Sequence, residues 1–88
     1  MAMVTIRYWA AAKDAAGVAA ESLEAGTLAD ALAAALVSRD DSPGNRLRAV
    51  LARSSFLIDG TPAGKRPHEE IRLPDRAVIE VLPPFAGG

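Results

Sequence analysis

Apolar and polar side chains alternate from the start of the chain. Val4, Ile6 and Tyr8 fall on one face, and Thr5, Arg7 and Trp9 on the other. A period of two predicts a strand from Val4 to Trp9 with one buried face. Asp14 to Gly17 supplies turn residues, and Ala19 to Leu23 reads as a second, weaker strand, so a hairpin is expected here. The period then changes. Leu28, Ala31, Leu32, Ala35 and Leu36 follow the i, i+3, i+4, i+7, i+8 spacing of an amphipathic helix. Thr27 can cap its first turn, and Asp30 suits the positive end of the helix dipole. Asp40-Asp41-Ser42-Pro43-Gly44-Asn45 predicts a loop, and the spacing of Leu47, Val50 and Leu51 a short second helical turn.

The second half returns to the strand pattern. Ser55 to Ile58 is a strand turned by Asp59-Gly60. Thr61 to Glu70, with two prolines and a glycine, is expected to be irregular with at most a short edge strand. Ile71 and Leu73 flank Arg72 and can anchor this stretch in the core. Pro74-Asp75 marks a turn, and Ala77 to Leu82, rich in β-branched residues, is the last strand. Pro83-Pro84 then ends hydrogen-bonded pairing. One helix must cover one face of the sheet, which gives an α+β fold. A connection through that helix favours a parallel neighbour for a later strand. The outline is a β-grasp, or ubiquitin-like, mixed sheet with one main helix packed across one face. Residues 1–82 would form the domain and 83–88 an extended tail.

Composition narrows the chemistry. A chain of 88 residues makes one domain. Domains of this size bury only about 60–65% of the surface exposed in the unfolded chain. The net charge of −1 gives no broad electrostatic case for nucleic acid or an anionic membrane. There is no apolar run long enough to span a bilayer, and the start lacks the basic and apolar regions of a signal peptide, so the expected location is cytoplasmic. The absence of cysteine excludes a disulfide, a thiolate metal site and a cysteine nucleophile. A single histidine, His68, excludes a His-rich zinc site. No metal or bound cofactor is expected.

What remains is the ending, Pro83-Pro84-Phe85-Ala86-Gly87-Gly88. The prolines favour a stiff, extended exit from the sheet. Gly87 and Gly88 carry no Cβ, so the backbone can enter a channel closed to other residues. The terminal carboxylate would then sit at the end of a thin probe. Adenylation by a partner supplies the leaving group that a carboxylate lacks, and sulfide, or a persulfide followed by cleavage of its S–S bond by a thiol, can displace AMP to leave a thiocarboxylate. Without cysteine, any sulfur the chain carries must sit on the Gly88 carboxylate.

The chain resembles the MoaD/ThiS sulfur-carrier family over nearly its whole length, closest to the small subunits of molybdopterin synthase. Val4-Thr5-Ile6-Arg7-Tyr8-Trp9-Ala10 is similar to the family's first strand, which ends in an aromatic residue followed by alanine. Ile58-Asp59-Gly60 sits where the family has an Asn-Gly turn, and Asp75-Arg76-Ala77-Val78 stands in for Gly-Asp-x-Val. Val81-Leu82-Pro83-Pro84-Phe85-Ala86-Gly87-Gly88 resembles the apolar-Pro-Pro-x-x-Gly-Gly ending, the most specific of these motifs. Asp59 for asparagine and the missing Gly-Asp are departures, and both fall in turns.

The resemblance implies a carrier and co-substrate with no catalytic residues of its own. A ubiquitin-activating-type adenylyltransferase would use ATP on Gly88, and a sulfurtransferase would supply the sulfur. Pro83, Pro84, Phe85, Ala86 and Gly87 would form the inserted tail. The acceptor partner would be a MoaE-like large subunit, in a heterotetramer of two small and two large subunits. There the sulfur would pass to cyclic pyranopterin monophosphate, in molybdopterin biosynthesis. Other sulfur carriers serve thiazole or cysteine synthesis, and a different class of relative is a protein modifier joined through Gly88 to lysines. The double proline favours the pterin pathway.

Other residues carry less. Trp9 and Leu82 would form an exposed apolar patch beside the tail, a common mark of a partner site. The competing reading packs Trp9 under the Thr61 to Glu70 loop. His68 beside Glu69-Glu70 has no nucleophile near it in sequence and reads as a solvated loop histidine. Gly60 and Gly64 are not followed by the Gly-Lys-Ser/Thr of a phosphate loop. Arg46, Arg48 and Arg53 read as a solvated face, or as a surface for an acidic activating enzyme.

Overall fold

A computed structural model describes residues 2–37 and 42–84. Five strands form one mixed sheet in the order β2-β1-β5-β3-β4. They are β1 (Ala2–Tyr8), β2 (Ala20–Ala25), β3 (Ser55–Ile58), β4 (Thr61–Pro62) and β5 (Val78–Leu82). β1 pairs antiparallel with β2 and parallel with β5. β5 pairs antiparallel with β3, and β3 with β4. The parallel β1/β5 pair is the one expected from the helical crossover, and the whole is the expected β-grasp sheet with helix packed across it.

The alternation read from the sequence sets the two faces. Val4, Ile6, Tyr8, Phe56, Ile79 and Val81 are buried on one face. Three helices lie over it: α1 (Ala11–Ala16), α2 (Leu28–Val37) and α3 (Ser42–Arg53). α2 buries Leu28, Ala31 and Ala35, with Leu32 and Leu36 half-buried beside them. Its first turn is capped as expected, with the Asp30 amide donating to Thr27 Oγ1 at 3.1 Å. Ile71 and Leu73 are buried. Their strap is tied to the start of α2 by Leu28 N–H to Ile71 O at 2.9 Å and Leu73 N–H to Gly26 O at 3.0 Å.

Two segments depart from the sequence reading. The stretch around Asp14 forms helix α1 instead of a hairpin turn, so β1 and β2 pair across a helical connection. Alanine, the strongest helix former, outweighs the single aspartate. Gly17, at φ 83°, supplies the left-handed closing residue. The second departure is α3, a helix of 12 residues. It takes in Ser42-Pro43-Gly44-Asn45 from the expected loop, while Asp40 and Asp41 lie outside the described residues. Proline is compatible with a first helical turn, where its missing N–H has no partner to lose. Leu47 is fully buried and Leu51 nearly so, which makes α3 a second main helix.

The two turns that depart from the family pattern are both well bonded. Asp59 and Gly60 have φ values of 50° and 84°, the left-handed pair that a two-residue hairpin requires. Asp59 Oδ1 accepts the Val78 amide at 2.9 Å, and the Asp59 amide donates to Val78 O at 2.9 Å. Asp75 Oδ1 accepts the Met3 amide at 3.0 Å, and the Arg76 amide donates to Met3 O at 2.7 Å. The carboxylates extend the ladder where backbone groups run out.

Candidate functional site at the end of the central strand

The site is built on β5, the middle strand of the five. Its pattern alternates strictly: Ile79 and Val81 are buried, while Glu80 and Leu82 are half-buried on the open face. Pro83 and Pro84 follow outside any strand. The tail therefore starts from the best-anchored strand of the sheet, held on both sides by β1 and β3. Phe85, Ala86, Gly87 and Gly88 lie outside the described residues.

Two surfaces flank this exit. The first is on the open face of the sheet, where Trp9 follows directly after β1. The Trp9 amide donates to Val81 O at 3.3 Å, continuing the parallel register beyond Tyr8 and Val81. Trp9 is 42% exposed, on the same face as Leu82. This exposure is what the patch reading expects, and not what a ring packed under the Thr61 to Glu70 stretch would show. The patch is less apolar than the sequence suggests. The Arg7 guanidinium lies over the indole at 5.0 Å from the ring centroid, and Trp9 Nε1 donates to Glu80 Oε1 at 3.2 Å. A cation on the ring face and a carboxylate at its edge fix the indole with its remaining surface outward. Arg7 and Glu80 are also direct cross-strand partners.

The second surface lies on the helix side. Ala11 of α1, Ala49, Val50 and Arg53 of α3, and Pro83 and Pro84 enclose an open apolar groove of about 250 Å³. No single segment of sequence advertises it. The one signal is on α3, where Arg46, Ala49, Val50 and Arg53 share the i, i+3, i+4, i+7 spacing of a helix face. Arg46 and Arg53 are both exposed.

Ala10 joins the two surfaces. Its φ of 49° and ψ of −124° place an alanine in a region that glycine normally occupies. This sharp bend turns the chain from Trp9 on the open face into α1 on the helix face. His68 is a correction: it is half-buried in a 3₁₀ turn (His68–Glu70), with its ring packed edge-on against Phe56 at 5.2 Å. Among the described residues, no group of three His, Asp or Glu side chains is placed to hold a metal ion, and no helix is long and apolar enough to cross a membrane.

Comparison with known proteins agrees with this architecture. The model described as "ThiS family" matches residues 6–88. The solution structure of small archaeal modifier protein 1 from Methanosarcina acetivorans is similar, with a TM-score of 0.81 at 24% identity, over 100% of this chain and 98% of that one. A putative molybdopterin converting factor subunit 1 from Pyrococcus furiosus gives 0.74 at 18% identity, over 97% and 100%. The complex of subunits 1 and 2 of molybdopterin-converting factor from Helicobacter pylori gives 0.66 at 23% identity, over 98% and 99%. At these identities the likeness is one of fold. No curated protein matches the chain.

Proposed function

The chain belongs to the ThiS family of ubiquitin-like sulfur carriers and modifiers, and on that premise we propose that it carries sulfur on the Gly88 carboxylate for molybdopterin synthesis. The observation that carries this reading is the direct run from the central strand β5 into Pro83-Pro84, in a family match that extends to Gly88. A central strand gives the tail a fixed origin, and two prolines give it a direction.

The chemistry divides between partners. A carboxylate oxygen of Gly88 attacks the α-phosphate of ATP in a ubiquitin-activating-type adenylyltransferase, and pyrophosphate leaves. The terminal sulfur of a sulfurtransferase persulfide then attacks the acyl carbon and AMP leaves with the C–O bonding pair; a thiol reductant cleaves the resulting acyl disulfide, becoming the disulfide partner itself, and the thiocarboxylate remains. The chain's own part is to present one atom. Pro83, Pro84, Phe85, Ala86 and Gly87 form the inserted probe, and Trp9 and Leu82 hold the partner beside it. In a MoaE-like large subunit the sulfur passes to cyclic pyranopterin monophosphate and the carboxylate is regenerated. The chain acts there as co-substrate, without catalytic residues, in a cytoplasmic heterotetramer of two small and two large subunits. The Helicobacter pylori complex of subunits 1 and 2 supports a partner of this kind.

A second reading has its own support. The Methanosarcina acetivorans neighbour is a small archaeal modifier protein, and the same Gly88 acyl-adenylate can acylate a lysine. Complementation separates the pathways. A strain lacking its own pterin carrier should regain molybdoenzyme activity with this chain and not with the Gly88-deleted chain. Rescue of a thiazole-carrier or cysteine-carrier mutant instead would redirect the assignment.

A further inference from the structure

We propose that the groove between α1, α3 and Pro83-Pro84 is the docking site for an acidic, apolar-tipped segment of the adenylating partner. The inference rests on the proposed adenylation of Gly88 and assigns the surface that serves it.

The groove has an apolar floor and a basic rim. Ala11, Ala49, Val50, Pro83 and Pro84 supply small or apolar surface, and the opening is wide enough for one or two side chains. Arg53 lines it, and Arg46 lies on the same face of α3 two turns earlier. Arg46, Arg48 and Arg53 give α3 three cations and no carboxylate, in a chain whose net charge is −1. On α1, Lys13 and Asp14 cancel. No described carboxylate forms an ion pair with Arg46 or Arg53. The open face differs in kind: there Arg7 and Glu80 face each other across strands around Trp9. The basic charge at the tail is thus concentrated on the helix side, where it complements an acidic partner.

The chemistry explains why the adenylating partner needs such a surface. Its nucleotide is a polyanion, and the group delivered to it is a carboxylate, so the approach of the tail tip is repelled. Attraction at the base of the tail offsets that repulsion and steers the encounter. Pro83 and Pro84 form part of the groove wall, so an occupant grips the tail where it leaves the sheet. Trp9 and Leu82, on the other face, stay available for the acceptor.

The test uses the full chain with the purified ubiquitin-activating-type adenylyltransferase of the same genome, measuring pyrophosphate release against carrier concentration. Reversing both charges, Arg46→Glu with Arg53→Glu, should raise KM about tenfold or more and leave kcat within twofold. Val50→Asp should act in the same direction. Replacing both arginines by lysine should restore most of the affinity, and Arg48→Glu, on the opposite side of the helix, should leave KM unchanged. Circular dichroism of each variant should match the parent. An unchanged KM in the double reversal, or an equal effect of Arg48→Glu, overturns the inference while the proposed function stands. Absence of pyrophosphate release with the parent chain overturns both.

Discussion

Asp59 and Ala10 adopt left-handed conformations for different reasons. Asp59 is suited to its place, because aspartate tolerates positive φ and its carboxylate accepts the Val78 amide. Asn would do both with a neutral oxygen. Asp59→Asn should therefore leave stability nearly unchanged, and Asp59→Ala should cost about 1 kcal/mol in urea unfolding. Ala10 has no such compensation, and its bend costs about 1–3 kcal/mol. Ala10→Gly should raise the unfolding free energy by about 1 kcal/mol after the added entropy of glycine in the unfolded chain. A lower midpoint for Ala10→Gly would mean that the bend is not strained. Asp59-Gly60 was legible in the sequence because its residue types are turn formers. Ala10 was not, because nothing about an alanine announces positive φ. The order of Trp9 is likewise invisible in sequence, since Arg7 and Glu80 meet it only after β1 and β5 pair.

At the scale of elements, period, turn residues and β-branched composition made the sheet legible. β1 follows a period of two, Asp59-Gly60 turns β3, β5 is rich in β-branched residues, and Thr27 marks the start of α2 with a cap. The helices that the sequence understated are α1 and α3. In α1 a short alanine run carries no stripe, since alanine is neither strongly apolar nor polar. In α3 a leading Ser-Pro-Gly-Asn resembles a loop until its first turn is docked. The burial of Leu47 identifies α3 as a core element. Leu47→Ala should cost about 2–5 kcal/mol, the range for a buried leucine, and unfolding in urea would measure it. A loss under about 1 kcal/mol would place α3 outside the cooperative core. The groove beside the tail was missed for a related reason: its walls come from α1, α3 and Pro83-Pro84, three segments far apart in sequence.

For the whole molecule, the β-grasp topology puts the end of β5 and Pro83-Pro84 between two unlike surfaces. Trp9 presents a fixed indole on the open side, more than a third exposed. Trp9→Ala should weaken large-subunit binding by about 2 kcal/mol, as loss of an aromatic anchor does, and cost the fold distinctly less. Calorimetric titration and thermal unfolding of the same variant compare the two, and equal losses would contradict an interface role. The ending was read from residue type alone, two prolines to stiffen and two glycines to thin, and Phe85 to Gly88 lie outside the described residues. The fold does not choose a pathway, because a small archaeal modifier protein and a molybdopterin converting factor subunit both share it.

The central claim concerns one atom at Gly88. The full chain, incubated with its adenylyltransferase, ATP and a sulfur source, should be analysed by mass spectrometry of the intact protein and of its C-terminal peptide. A sulfur carrier gains the mass difference between one sulfur and one oxygen atom, located at Gly88 and absent when ATP is omitted. An unmodified C-terminus beside a ladder of lysine-linked conjugates would contradict sulfur carriage and make the chain a protein modifier.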